Sequence, residues 1–221
     1  MGTKPRSIAI IGLGTFGLSV ARQSALLGDR VLGIDTKEVH VGQICDEIDE
    51  TIQADGTDLK ALESIGLDAY DSIVVSIGAN VESSILVAMN VLELGCQEIW
   101  VKAQHATHEK ILRAIGIKNV VLPELAYGLH LAQLLHNPLM QDYVSLGDDE
   151  YVTKIAITEE AVGQPIKSLF NDQGEIRCIG VYRQGTLFSE NFFDLFFEAH
   201  DMVLLFGNQA ALESYTNKLM L

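Results

Sequence analysis

The stretch Ile8-Ala9-Ile10-Ile11 runs directly into Gly12-Leu13-Gly14-Thr15-Phe16-Gly17, and Leu18, Ala21, Ala25 and Leu26 then recur at helical spacing. An apolar run, a glycine turn and a helix in that order predict the first strand, turn and helix of a dinucleotide-binding fold. Gly12 permits the tight turn off the strand. Gly14 lets backbone amides approach a phosphate, and Gly17 lets the helix pack close to the sheet. The helix start would then offer unpaired N–H groups and partial positive charge to an anion. GxGxxG alone is weak evidence, so its surroundings decide. Gly28 stops the helix, and Val31-Leu32-Gly33-Ile34 reads as a second buried strand ending in Asp35. An acidic residue about twenty positions beyond the glycines is where a ribose 2′-hydroxyl is held, so Asp35 predicts an unphosphorylated ribose and disfavours NADP. A Walker loop is excluded, because Leu18-Ser19 follows Gly17 where a lysine is required.

Working outward, a weakly helical segment leads to a third strand, Thr51 to Ala54. Asp55-Gly56-Thr57-Asp58 caps a helix with an apolar stripe of Leu59, Leu62 and Ile65, closed by Gly66. Ile73 to Ile77 reads as a buried fourth strand, and Gly78-Ala79-Asn80 as a second permissive turn facing the first across a crevice. A helix from Val81 to Leu94, a strand at Ile99 to Val101, a helix ending at Gly116 and a strand at Val120 to Leu122 continue the alternation. Right-handed crossovers predict a parallel sheet of order 3-2-1-4-5-6. Pro123 and Glu124 open an amphipathic helix carrying Leu125, Leu129, Ala132 and Leu135, expected to pack on its own sheet or to cross to a partner subunit.

The fold class is therefore α/β: a Rossmann-like doubly wound sheet over residues 1–137, a linker over 138–150 and a small α+β domain over 151–221. In the last part, strands at Val152 to Ile157 and Arg177 to Tyr182, a Gln184-Gly185 turn, a buried strand from Met202 and a terminal helix from Ala210 are expected. The run from Phe192 to Phe197 reads as core packing, with a subunit interface as the second reading. About 70 residues make a marginal domain, so support from a neighbour or from dimerisation is expected.

Composition narrows the function. The 221 residues carry a formal net charge of −15 with no basic cluster, which argues against nucleic acid as a partner. No apolar stretch approaches the roughly 20 residues that span a bilayer. The start, Met1 to Arg6, reads as neither a signal peptide nor a myristoylation site, and three scattered cysteines suit a reducing cytoplasm. His105 and His108 are three apart but lack companions for a zinc set.

The segments GLGTFG, IDTKE, DGTD, VSIGAN, WVKAQ and LPE together resemble the regulatory subunits of bacterial Trk/Ktr potassium-uptake systems, the RCK family, along essentially the full length. The resemblance implies an adenine nucleotide surrounded by Gly12, Leu13, Gly14, Thr15, Phe16 and Gly17, by Asp35, Thr36 and Lys37, by Asp55, Gly56 and Thr57, and by Ile77, Gly78, Ala79 and Asn80. Lys102 and Glu124 would approach its terminal phosphate, with Glu124 helping to hold a metal cation such as magnesium between subunits. It also implies a cytoplasmic protein, assembled as dimers in an octameric ring beneath a membrane potassium-translocating subunit. ATP versus ADP, or NADH versus NAD, would change the ring's shape. One departure stands out: Ktr-type members resemble GxGRFG, with an arginine for the γ-phosphate of the paired site, and this chain has Thr15. Arg22 and Lys37 are the cations near enough in sequence to take its place, or the chain favours NAD(H). Some relatives bind cyclic di-AMP in the C-terminal domain, and nothing in Val162 to Asn191 establishes that here.

The competing class is a nicotinamide-dependent oxidoreductase on the same fold. It lacks support, because no Tyr is followed four residues later by Lys and no large second domain forms a substrate cleft. The expected protein is not an enzyme.

Overall fold

Strand β1 (Ser7–Ile11) sits at the centre of a parallel sheet in a computed structural model that describes residues 4–78, 80–170 and 176–219. Helix α1 (Thr15–Leu26) leads to β2 (Arg30–Asp35), short α2 (Glu38–Gly42) and β3 (Glu50–Gln53). Helix α3 (Leu59–Ile65), β4 (Ser72–Val75), α4 (Val81–Glu93), β5 (Ile99–Lys102), α5 (Ala106–Ala114), β6 (Asn119–Val121) and α6 (Pro123–His136) follow. The strand order is β3-β2-β1-β4-β5-β6, as the alternating pattern requires. The β1 run is apolar throughout because both faces of the sheet are covered. Ala9 and Ile11 pack with Leu62, Val87 and Val91 on one side, and Ile10 packs with Leu13, Ala21 and Ile44 on the other. Leu26, read as part of the α1 stripe, is 81% exposed; it is the last helical residue and lies beyond the sheet-facing turns.

The register places Ile11 opposite both Ile34 and Val75, so the three strands end within one residue of each other and their following loops open at one edge. Gly12 leaves that edge at φ +100°, and a Cβ on Gly17 would lie 2.0 Å from the Gly12 carbonyl oxygen. These two positions require glycine by conformation and by contact respectively.

The chain divides into two units, residues 1–126 and 127–221. The second holds an antiparallel sheet of β7 (Met140–Gly147), β8 (Glu150–Ala156), β9 (Ile176–Arg183), β10 (Thr186–Phe188) and β11 (Met202–Asn208), in the order β10-β9-β11-β8-β7, with α7 (Gln209–Leu219). The expected linker at 138–150 is thus corrected. It forms edge strand β7, paired with β8, and the two-residue turn Asp148-Asp149 with φ of 48° and 63°. Such a turn matches the twist of a hairpin. Because β7 is mostly exposed, it carries no apolar alternation, and its backbone pairing is invisible in composition. Nor does Asn137 end the first domain: it is buried, and its Nδ2 donates to Thr216 Oγ1 at 2.6 Å.

Helix α6 buries none of its residues among those described, with Leu129 and Leu135 at 61% and 74% exposure. Phe192 and Phe197 join the second unit's core with Ile155, Val203 and Leu205, whereas Phe196 is exposed.

One ion pair ties that core to its rim. The Asp201 carboxylate is fully buried and accepts from Arg183 Nε at 2.8 Å and Nη2 at 2.7 Å, while Arg183 also donates to the Phe196 carbonyl. Removing the arginine strands a buried charge. Arg183→Met is expected to destabilise the protein by about 3–5 kcal/mol in urea unfolding, and a loss below about 1 kcal/mol would contradict this role.

Candidate functional site

The loops at the ends of β1 to β4 enclose a crevice of about 410 Å³. The glycine turn contributes Gly12 and Gly14 to its wall, and Gly14 is the residue preceding α1. No side chain caps α1 and no acidic residue lies in its first turn, whereas Asp58 caps α3 and Asn80 caps α4. The first N–H groups of a helix have no intrahelical acceptor. At α1 these amides, with the helix dipole, are available to an anion in the crevice. Nothing lies within 4 Å of a Cβ built on Gly14, so the approach is open. Ser76 adds a second signal: it lines the crevice, is 5% exposed, and its Oγ has no partner among the described residues. A buried unpaired hydroxyl costs free energy and favours a ligand or water beside it.

Asp35 ends β2 at the crevice. Its Oδ2 accepts from the Leu13 N–H at 2.7 Å and faces His40 Nδ1 at 3.0 Å, and its Oδ1 accepts from the Lys37 N–H at 2.9 Å. Burial pushes this carboxyl up, but the donors Lys37, His40 and Leu13 outweigh it, and the group is held below the usual carboxylate range.

The other expected residues distribute as follows. Leu13 is fully buried and reaches the site only through its N–H. Thr15 is exposed at the first position of α1, and Phe16 is half-buried with the Lys102 ammonium 5.7 Å from its ring centre. Gly17 acts in packing. Thr36 and Lys37 line the crevice beside Asp35. Asp55, Gly56 and Thr57 line it from the β3–α3 loop, where Asp55 Oδ1 accepts from Thr57 N and Oγ1. A Cβ on Gly56 would meet Ile11 Cγ2 at 2.8 Å, so the loop approaches the sheet closely. Ile77 and Gly78 complete the wall, Asn80 caps α4 by accepting from Ser83 N, and Ala79 lies outside the described residues.

Lys102 and Glu124 form a salt bridge, with the Lys102 Nζ 3.9 Å from a Cβ placed on Gly78. The Lys102 ammonium also holds the Glu124 carboxyl below its ordinary range. Among the described residues no cluster of three or more His, Cys, Asp or Glu could hold a metal. Arg22 does not serve the site: its Nε and Nη2 grip both oxygens of Glu47 at 2.8 Å. Lys37 is the expected substitute that lines the crevice. His105 and His108 organise the start of α5, where His105 Nδ1 accepts from His108 N. Sequence reasoning missed Ser76, His40 and Gln104, whose Nε2 donates to the Gly78 carbonyl. Ser76, inside VSIGAN, and Gln104, at the end of WVKAQ, carried a local signal; His40 did not.

Residues 8–123 match the TrkA-N domain family, which is more than half of the chain. The chain belongs to that family. It is 27% identical over 217 residues to the Ktr system potassium uptake protein A of Bacillus subtilis (strain 168), covering 97% of both chains. It is 31% identical over 164 residues to that organism's Ktr system potassium uptake protein C, covering 74% of each. Among solved structures, the GsuK channel bound to NAD superposes with a TM-score of 0.65 at 16% identity, over 98% of this chain and 39% of that one, a likeness of fold. The TrkA-N match spans the crevice from β1 to the start of α6. No helix among the described residues is long and apolar enough to cross a membrane.

Asp35 generates a pH prediction. A carboxyl lowered in the fold contributes stability that is present above its unfolded pKa and is lost as pH falls through its folded pKa. The difference in urea midpoint between wild type and Asp35→Asn is expected to shrink as pH falls below about 4. A difference unchanged down to pH 3 would contradict the lowered value.

Proposed function

We propose that this TrkA-N protein is a cytoplasmic regulatory subunit that gates a membrane potassium-uptake transporter, and that an adenine nucleotide in the crevice sets its conformation. The observation that carries this reading is Asp35, a largely buried carboxylate next to the uncapped start of α1. A carboxylate there suits ribose hydroxyls, and the helix start suits the phosphates that follow in a nucleotide. The Ktr names of relatives matching nearly all or three quarters of the chain support the potassium-uptake setting.

Lys102 lies against Gly78 at the crevice rim, within reach of a terminal phosphate if it leaves Glu124. The freed Glu124 would then be the residue of this chain able to help hold a magnesium ion, which would supply positive charge to the phosphates. Phosphate number would thereby reach the first turn of α6, whose exposed leucines suit a dimer contact within an octameric ring. Gating follows as a population shift: the nucleotide that binds one ring geometry more tightly favours it, and one with equal affinity for both shifts nothing. Thr15 in place of an arginine favours a second reading, an NAD(H)-sensing member, because it removes a γ-phosphate contact.

Calorimetric titration with ATP, ADP, NAD and NADH separates the two readings. ATP and ADP are expected to bind more tightly than either nicotinamide nucleotide. Lys102→Met is expected to weaken ATP by about 10–150-fold while changing AMP little, since a charge-assisted hydrogen bond contributes about 1.5–3 kcal/mol. Glu124→Gln should retain basal binding and lose the magnesium-dependent preference for ATP. Equal loss of ATP and AMP in Lys102→Met, or full retention of the magnesium effect in Glu124→Gln, would remove these residues from the mechanism.

A further inference from the structure

We propose that His40 is a specificity-determining residue: its imidazole occupies a ribose position on Asp35 and must be displaced when a nucleotide with both ribose hydroxyls binds. The inference rests on the adenine-nucleotide reading of the crevice.

A carboxylate offers about four lone-pair sites, two on each oxygen. Three are in use: Leu13 N–H and His40 Nδ1 fill Oδ2, and Lys37 N–H takes one site on Oδ1. A carboxylate only accepts, so Nδ1 carries the proton of this hydrogen bond. One site remains, on Oδ1. A ribose that presents its 2′- and 3′-hydroxyls together needs two, so one donor must leave.

The three donors differ in what leaving costs. Leu13 N–H belongs to the glycine turn, and the Leu13 side chain is fully buried. Lys37 N–H is held by the backbone two residues after Asp35, at the start of α2. His40 is a side chain with two rotatable bonds on α2, a helix of five residues with none buried, and about 29% of its surface is already exposed. It also lines the crevice, on the side where the ribose would lie. The imidazole is therefore the donor that yields.

The consequence is a selective tax on the cis-diol. A nucleotide with one ribose hydroxyl takes the vacant Oδ1 site and leaves His40 in place. One with two gains a second hydrogen bond but breaks the His40 bond, so its advantage is largely cancelled. His40 thus weakens adenine ribonucleotides while sparing their 2′-deoxy counterparts, and it couples ribose occupancy to α2.

The test is calorimetry on the full chain with ADP and 2′-deoxy-ADP, for wild type, His40→Ala, His40→Asn and Asp35→Ala, each checked for an intact fold by its melting curve. Wild type should prefer ADP by less than about threefold. His40→Ala should bind ADP about 3–10-fold more tightly, the range of one net hydrogen bond, and 2′-deoxy-ADP within about twofold of wild type. His40→Asn, whose amide can stand where Nδ1 stands, should remain near wild type. Equal weakening of both nucleotides in His40→Ala would make His40 a direct ligand contact and overturn the proposal, as would no change in either. If instead Asp35→Ala leaves ADP affinity intact, the ribose assignment itself fails.

Discussion

The hydrogen bond from the Leu13 N–H to the Asp35 carboxylate joins the glycine turn of β1 to the end of β2. Much of the site depends on it. It fixes the turn that delivers Gly14 to the start of α1, and it holds an ionised carboxylate at a partly buried position where burial alone would disfavour the charge. The sheet supplies the rigidity beneath, with Ile11 level with Ile34 and Val75 and almost no exposed surface among them. A negative group and an uncapped helix start thus line one crevice.

The Lys102–Glu124 pair joins the end of β5 to the first turn of α6, with the ammonium beside Gly78 of the crevice wall. The lysine side chain is largely buried, with its ammonium near the Phe16 ring and Gly78, while the glutamate is mostly exposed on the first turn of α6. Glu124 lies on the first turn of a helix that buries none of its side chains among the described residues. In the proposed function this pair matters, because a nucleotide has no effect on a distant partner unless it alters something the partner touches.

Much of the first unit was legible in the sequence because its signals are local. Buried parallel strands need unbroken apolar runs, and Gly12 and Gly17 are dictated by φ and by contact. The strand order followed from the alternation of elements. What escaped was set by pairing across the chain. Strand β7 is an exposed edge, so nothing in its side chains reports its hydrogen bonds to β8. The α6 stripe was visible, but periodicity does not say what covers it. His40 looks like any polar residue on a short helix, and its role arises because α2 turns the imidazole back onto Asp35. Arg22 failed in the opposite way: near the glycines in sequence, it is spent on Glu47.

The central claim is that a nucleotide binds across the glycine turn and the end of β2. Amide hydrogen exchange with and without saturating ADP tests it most directly, since it reports where the ligand acts on the backbone. Slower exchange is predicted in segments 12–17 and 35–40, with smaller changes around 55–57 and 76–78. Protection confined to the second unit, with segments 12–17 and 35–40 unchanged, would contradict the account.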